Sequence, residues 1–218
     1  MYHHRYLELL SEACRKYKIH LIADEIAVGF GRTGTMFGFE QAKITPDIIC
    51  LSKGITGGYM TLSTILTTDD IYEAFYDEYE NLNAFLHSHS YTANPIACSA
   101  ANATLELFKR NDTLKKNKIL SSYMGKSFES LKYHPNVSDV RQKGMVLAIE
   151  LIKNKKKKIS YNWKERRGVK AYLHGLKNNV LMRPLGNVIY FMPPYVISKK
   201  QINFVSDIMK ESIDEATK

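Results

Sequence analysis

Asp24 and Lys53 are the first residues to examine for chemistry, because each stands directly after a short apolar run. Asp24 closes Leu21-Ile22-Ala23, and Lys53 follows Ile48-Ile49-Cys50-Leu51-Ser52. In open α/β sheets the ligand crevice lies beyond the carboxyl ends of the strands, so a carboxylate and an amine delivered there can serve one ligand. The amine is a Schiff-base nucleophile if its pKa is lowered, and the carboxylate is a partner for a pyridinium nitrogen. The pair describes an electron sink: a ring nitrogen held protonated by the carboxylate withdraws the electrons released when a proton leaves a carbon attached to an imine. An apolar strand ending in Asp-Glu also resembles the acidic strand of a nucleotide hydrolase. The phosphate loop of such an enzyme is not matched, since Gly125-Lys126-Ser127 has Leu120 where a glycine is needed, reads as helix and follows the acidic strand. His87 and His89, with no third or fourth ligand, do not make a zinc site.

Positioning these residues requires strands that alternate with helices. From His3 to Lys18, Tyr6, Leu7, Leu10, Ala13, Cys14 and Tyr17 recur at three- and four-residue steps, which predicts a helix packed on one face. The run from Ile19 to Ala23 predicts a strand buried on both faces of a parallel sheet; 48–51 predicts a second and 60–67 a third. Helical spacing covers 69–80 and 95–109, with Asp69 and Asn94 as N-caps and Pro95 in a first turn. Beyond these come an amphipathic segment at 114–131, strands at 137–141 and 145–152, a helix over 163–178, strands at 180–183 and 188–192, and a closing helix from Ser198. The first part implies an α/β layer architecture and the second a separate α+β domain.

Charge supports this division. Residues 1–108 hold 7 Lys/Arg against 13 Asp/Glu, 109–183 hold 20 against 5, and 184–218 hold 4 against 4. The basic block is an electrostatic footprint that nucleic acid or an anionic membrane could use, yet no stacking-aromatic motif accompanies its lysines, so a solvated surface is the favoured reading. Lys155 to Lys158 read as an exposed loop tip. With 218 residues and 44% hydrophobic content the chain is globular rather than disordered. Cys14, Cys50 and Cys98 are too few and too far apart for a disulfide framework or a CxxC pair, which fits a reducing cytoplasm. The longest uncharged run, 81–105, is rich in Asn, Ser and Thr and holds Pro95, so no membrane span is expected, nor is a signal peptide.

The wording around the candidate pair is more specific than the pair itself. Leu21-Ile22-Ala23-Asp24-Glu25-Ile26, Gly29-Phe30-Gly31-Arg32-Thr33-Gly34, Pro46-Asp47-Ile48 and Ser52-Lys53-Gly54 followed by Gly57-Gly58 resemble the class III, pyridoxal-phosphate-dependent aminotransferases. Within that family, 58–63, His87 to Pro95, and Arg183 to Tyr190 with Met192-Pro193-Pro194-Tyr195 resemble the members that use S-adenosylmethionine and 8-amino-7-oxononanoate in biotin synthesis.

This resemblance implies a transferase of fold type I, with residues 1–105 as part of the large pyridoxal-phosphate-binding α/β domain and 106–218 as a small α+β C-terminal domain. It implies pyridoxal 5'-phosphate as cofactor, Lys53 as its Schiff-base lysine and proton carrier, and Asp24 as the partner of the ring nitrogen. Ser90, and less strongly Thr92, fall where a hydroxyl is offered to the cofactor phosphate across a homodimer interface. Arg183 matches a substrate-carboxylate clamp, with Arg32 and Tyr190 as further substrate-recognition candidates. A structural ion pair is an equal reading of Arg32. Three departures stand out: Val28 replaces a threonine, and Ser88 and Ala93 replace glycines, which strains the turn wherever φ must be positive. Family members are roughly twice this long, and their earlier half carries further cofactor contacts and sheet strands. These 218 residues alone are therefore expected to be inactive. An aminotransferase for another amine or ω-amino acid, and a basic nucleic-acid-binding module, are the rival readings.

Overall fold

The computed structural model describes residues 2–218, which divide into two compact units, 2–114 and 115–218. The expected boundary at 105/106 falls inside the continuous helix Pro95–Arg110.

In the first unit, α1 (His4–Tyr17) ends at Lys18, whose left-handed conformation lets its N–H return to the carbonyls of Arg15 and Cys14. Strand β1 (Ile22–Asp24) pairs in parallel with β2 (Ile48–Leu51), and β2 pairs antiparallel with β3 (Thr64–Thr67). The register sets Asp24 beside Cys50 and Ile49 beside Leu66. Leu51 joins Phe30, Ile55 and Ala101 in a small core, with Ile49, Leu62 and Phe108 packed against it. Ala101 comes from α3 (Pro95–Arg110), which starts at the N-cap Asn94 as expected, its Oδ1 accepting from the N–H groups of Ile96 and Ala97.

Three expectations for this unit are corrected. Strand β1 is not buried on both faces: Ile22 is 59% exposed, and Ile65 on the same face of the sheet is 66% exposed. The core of this unit forms around the other face, that of Ile49 and Leu51. The third strand starts at Thr64 rather than Met60, because the Ser52 and Thr56 hydroxyls donate to the carbonyls of Leu62 and Met60 and claim that backbone for a loop. The helix expected over 69–80 shrinks to α2 (Asp69–Glu73), capped at Thr68 rather than Asp69. Asp77 then accepts from the Glu78 N–H and from the amides of Asn81 and Asn83, a local alternative to continuing the helix.

The second unit is built on an antiparallel sheet of order β4-β5-β7-β6, comprising β4 (Val137–Lys143), β5 (Val146–Leu151), β6 (Arg183–Leu185) and β7 (Val188–Phe191). Alternation puts Leu147, Ile149, Leu151, Ile189 and Phe191 on one face, where they join Met124 of α4 (Thr113–Ser127), Phe128 just after it, and Ile202, Met209 and Ile213 of α6 (Lys199–Thr217) in the core. Ser198 and Gln201 close a capping box at the start of α6. The helix expected over 163–178 is interrupted at Arg166, which is left-handed, and resumes as α5 (Arg167–Lys177). A Cβ at Gly168 of α5 would collide with the carbonyl oxygen of Gly186, so a side chain there would push the β6–β7 turn away. The strand expected at 180–183 begins only at Arg183, because the Val180 N–H is taken by the carbonyl of Gly175 at the end of α5.

Candidate active site

Asp24 is the last residue of β1, and Lys53 follows the end of β2 after Ser52. Since β1 and β2 run parallel, both residues come off the same, carboxyl end of the sheet. The Glu25 N–H donates to the carbonyl of Cys50 at 3.0 Å and ties the two strand ends together. Asp24 accepts from the Ile26 N–H through Oδ1 at 3.0 Å, and Oδ2 remains available for a ligand. Lys53 opens a 3-10 turn (Lys53–Thr56) with φ +44, in the left-handed region unusual for a residue with a side chain. Its loop is pinned by the two hydroxyl bonds from Ser52 and Thr56, at 2.8 and 2.6 Å. Both Asp24 and Lys53 are exposed, and no ion pair holds either among the described residues.

Glu25, next to Asp24, is a buried anchor of the neighbouring loop that the residue types alone did not single out. Only 3% of it is exposed, and its carboxylate accepts from the N–H groups of Gly38 at 2.9 Å and Phe39 at 3.0 Å. Burial pushes its carboxyl above the usual range, against the opposing pull of those two donors. Its carbonyl accepts from the Gly29 N–H, where an added Cβ would come within 2.8 Å of that oxygen. Glu25 thus anchors the loop that carries Arg32 at both ends. Phe30, Gly31 and Gly34 in that loop all have positive φ, and the Gln41 amide holds Thr33 and Thr35 from within. Arg32 is half-buried there. The available signal for Glu25 was strand alternation, which turns it inward when Asp24 faces out.

Ser90 and Thr92 lie in an exposed turn before α3. The Thr92 hydroxyl accepts from the His89 N–H at 3.0 Å, which leaves its proton free to donate. Ala93 has φ +57, so its replacement of a glycine does load the turn, whereas Ser88 is not among the positive-φ residues and is unstrained by that measure.

Arg183 and Tyr190 belong to the second unit, directly opposite each other across β6 and β7. They share the outer face of the sheet in a row with Ala148 and Arg141. Arg141 is committed to Glu150 at 2.7 Å and Asp139 at 3.1 Å, which raise its pKa. Arg183, by contrast, has no carboxylate partner among the described residues and presents its guanidinium to solvent. Gly125-Lys126-Ser127 lies in the last turn of α4, a helix rather than a phosphate loop.

A family model for class III aminotransferases matches residues 1–213. The chain belongs to the class III aminotransferases. It is 44% identical over 222 residues to the adenosylmethionine-8-amino-7-oxononanoate aminotransferase of Helicobacter pylori, covering 100% of this chain and 49% of that one. The enzyme of the same name from Geobacter sulfurreducens is 43% identical, with 97% of this chain and 47% of the relative covered. Among solved structures, the adenosylmethionine-8-amino-7-oxononanoate aminotransferase of Methanocaldococcus jannaschii superposes with a TM-score of 0.91 at 40% identity, over 96% of this chain and 49% of that one. An omega transaminase from Pseudomonas jessenii, solved in complex with PMP, gives a TM-score of 0.91 at 27% identity over 97% of this chain and 47% of its own. The class III transferase fold is therefore shared across the chain, which spans about half the length of these relatives. Class III aminotransferases depend on pyridoxal phosphate. No helix among the described residues is long and apolar enough to cross a membrane.

Proposed function

We propose that this chain supplies the lysine-bearing part of an aminotransferase that moves the amino group of S-adenosylmethionine onto 8-amino-7-oxononanoate, giving 7,8-diaminononanoate. The observation that carries the reading is the delivery of Asp24 and Lys53 from one end of two adjacent parallel strands, in a chain of the class III family. The donor set suits pyridoxal 5'-phosphate: a carboxylate with an open oxygen, an amine outside any described ion pair, and hydroxyls at Ser90 and Thr92 with protons to give. When bound, that group supplies the aldehyde and the electron-withdrawing ring.

In this reading the Asp24 carboxylate keeps a ring nitrogen protonated, because an adjacent negative charge favours the charged form. The Lys53 amine takes the proton from the substrate carbon that bears nitrogen and returns it one step along, acting first as base and then as acid. Ser90 and Thr92 donate to phosphate oxygens. Arg183 offers a planar fork to a substrate carboxylate, and Arg32 and Tyr190 complete substrate recognition. The two substrates use the site in turn, a ping-pong scheme. The working form is a cytoplasmic homodimer. Residues 1–218 alone do not catalyse, since β1 keeps a free edge and its Ile22 face is uncovered.

The test joins this chain to the part of the Helicobacter pylori relative that it does not cover. The combined protein is expected to release amino group from S-adenosylmethionine, to show a cofactor absorption band, and to lose both on Lys53→Ala. Preference for a simple amine over S-adenosylmethionine would assign another class III substrate. Turnover by 1–218 alone, or a band that survives Lys53→Ala, would overturn the proposal.

A further inference from the structure

The surface between α4 and α6, within the second unit, collects lysines that form no ion pair among the described residues. Helix α4 carries four lysines and no acidic residue, with Lys115 and Lys116 in its first turn, and α6 opens with Lys199-Lys200. Cations in a first turn oppose the helix dipole, a local cost that the fold does not require. A hollow of about 430 Å³ lies there, lined by Lys118, Ile119, Ser122, Tyr123, Lys126 and Lys199. None of its three lysines has an ion-pair partner among the described residues. The floor is fixed: the Tyr123 hydroxyl donates to Asn203 at 2.9 Å, Ser127 reaches the same oxygen at 3.2 Å, and Lys199 Nζ sits 5.1 Å from the centre of the Tyr123 ring.

We propose that this hollow binds a small anion carrying two or more phosphate groups. Three ammonium groups offer only donors, and phosphate oxygens are acceptors of matching charge. Three positive charges on flexible side chains are matched better by the higher negative charge of linked phosphates than by a single phosphate. An adjoining hollow, which shares Ser122 and Lys126, lacks the same character. There Glu129 pairs with Lys132 at 3.6 Å and supplies the countercharge.

The test is calorimetric titration of the 218-residue chain with inorganic pyrophosphate, tripolyphosphate and orthophosphate. The site variant is Lys118→Ala/Lys126→Ala/Lys199→Ala, and the charge-matched control is Lys156→Ala/Lys157→Ala/Lys170→Ala. All six side chains are exposed, and circular dichroism checks that both variants fold; Lys199→Glu alone repeats the comparison with a single change. Saturable one-to-one binding of pyrophosphate is expected, weakened about tenfold or more in the site variant and less than about twofold in the control. Equal weakening in both variants would mean general charge attraction and overturn the site. So would orthophosphate binding as tightly as pyrophosphate.

Discussion

Replacing Glu25 tests how the Arg32 loop is held. Its carboxylate accepts two backbone N–H groups, Gly38 at 2.9 Å and Phe39 at 3.0 Å, in a position where it is almost wholly buried. Hydrogen bonds to a charged group contribute about 1.5 to 3 kcal/mol each, so two are worth about 3 to 6. Relief from burying a carboxylate offsets part of this, leaving an expected loss of about 2 to 4 kcal/mol for Glu25→Ala. Glu25→Gln keeps one acceptor oxygen but turns an NH2 toward the second donor, for a loss of about 1 to 2 kcal/mol. The pH dependence has a definite sign. Because the folded-state pKa is raised, the Glu25 contribution is fully present below the ordinary glutamate range and fades as pH rises through the higher folded value. The deficit of Glu25→Gln relative to the parent chain is therefore largest in acid and shrinks toward neutral pH. Urea unfolding across that window, with hydrogen exchange at the amides of Gly38 and Phe39, measures both effects. Unchanged protection of those amides in Glu25→Ala, or a deficit that grows with pH, would refute the assignment.

In the combined protein described above, Arg183→Ala is expected to raise KM for the carboxylate-bearing donor about tenfold or more with a smaller effect on kcat, and Arg183→Lys to recover only part of the loss, because an ammonium cannot reproduce the fork. Steady-state kinetics with S-adenosylmethionine reads this. Ala93→Gly removes a side chain from φ +57 and is expected to stabilise the first unit by up to about 1 kcal/mol, measured as a shift in urea midpoint. Phe128→Ala empties a fully buried position at the centre of the second core and is expected to cost about 3 to 5 kcal/mol, seen as early loss of protection across β5 and β7.

Much of the architecture was readable in advance where the deciding interactions are local. Helices α1 and α3 appear within a residue or two of their expected bounds and α6 starts where expected, because apolar spacing and the caps at Asn94 and Ser198 act over three or four residues. The failures are equally physical. The 69–80 helix broke where Asp77 gathers donors from three following residues, and the 163–178 helix broke at a left-handed Arg166. At the candidate site, residue types and their order after apolar runs singled out Asp24 and Lys53 as candidates, which β1 and β2 deliver from one end of the sheet, while the anchoring role of Glu25 stayed hidden.

Sequence alone determined the chemical inventory: an amine and a carboxylate after two apolar runs, a glycine-rich loop between them, and a basic second half. Tertiary structure decided which distant groups answer one another. Glu25 reaches Gly38 and Phe39, Asp47 receives the Leu21 N–H at 2.7 Å, Ser52 claims the Leu62 carbonyl, and Arg183 comes to face Tyr190. Such pairings depend on strand register and packing, which bring together residues many positions apart, and no local periodicity encodes that meeting.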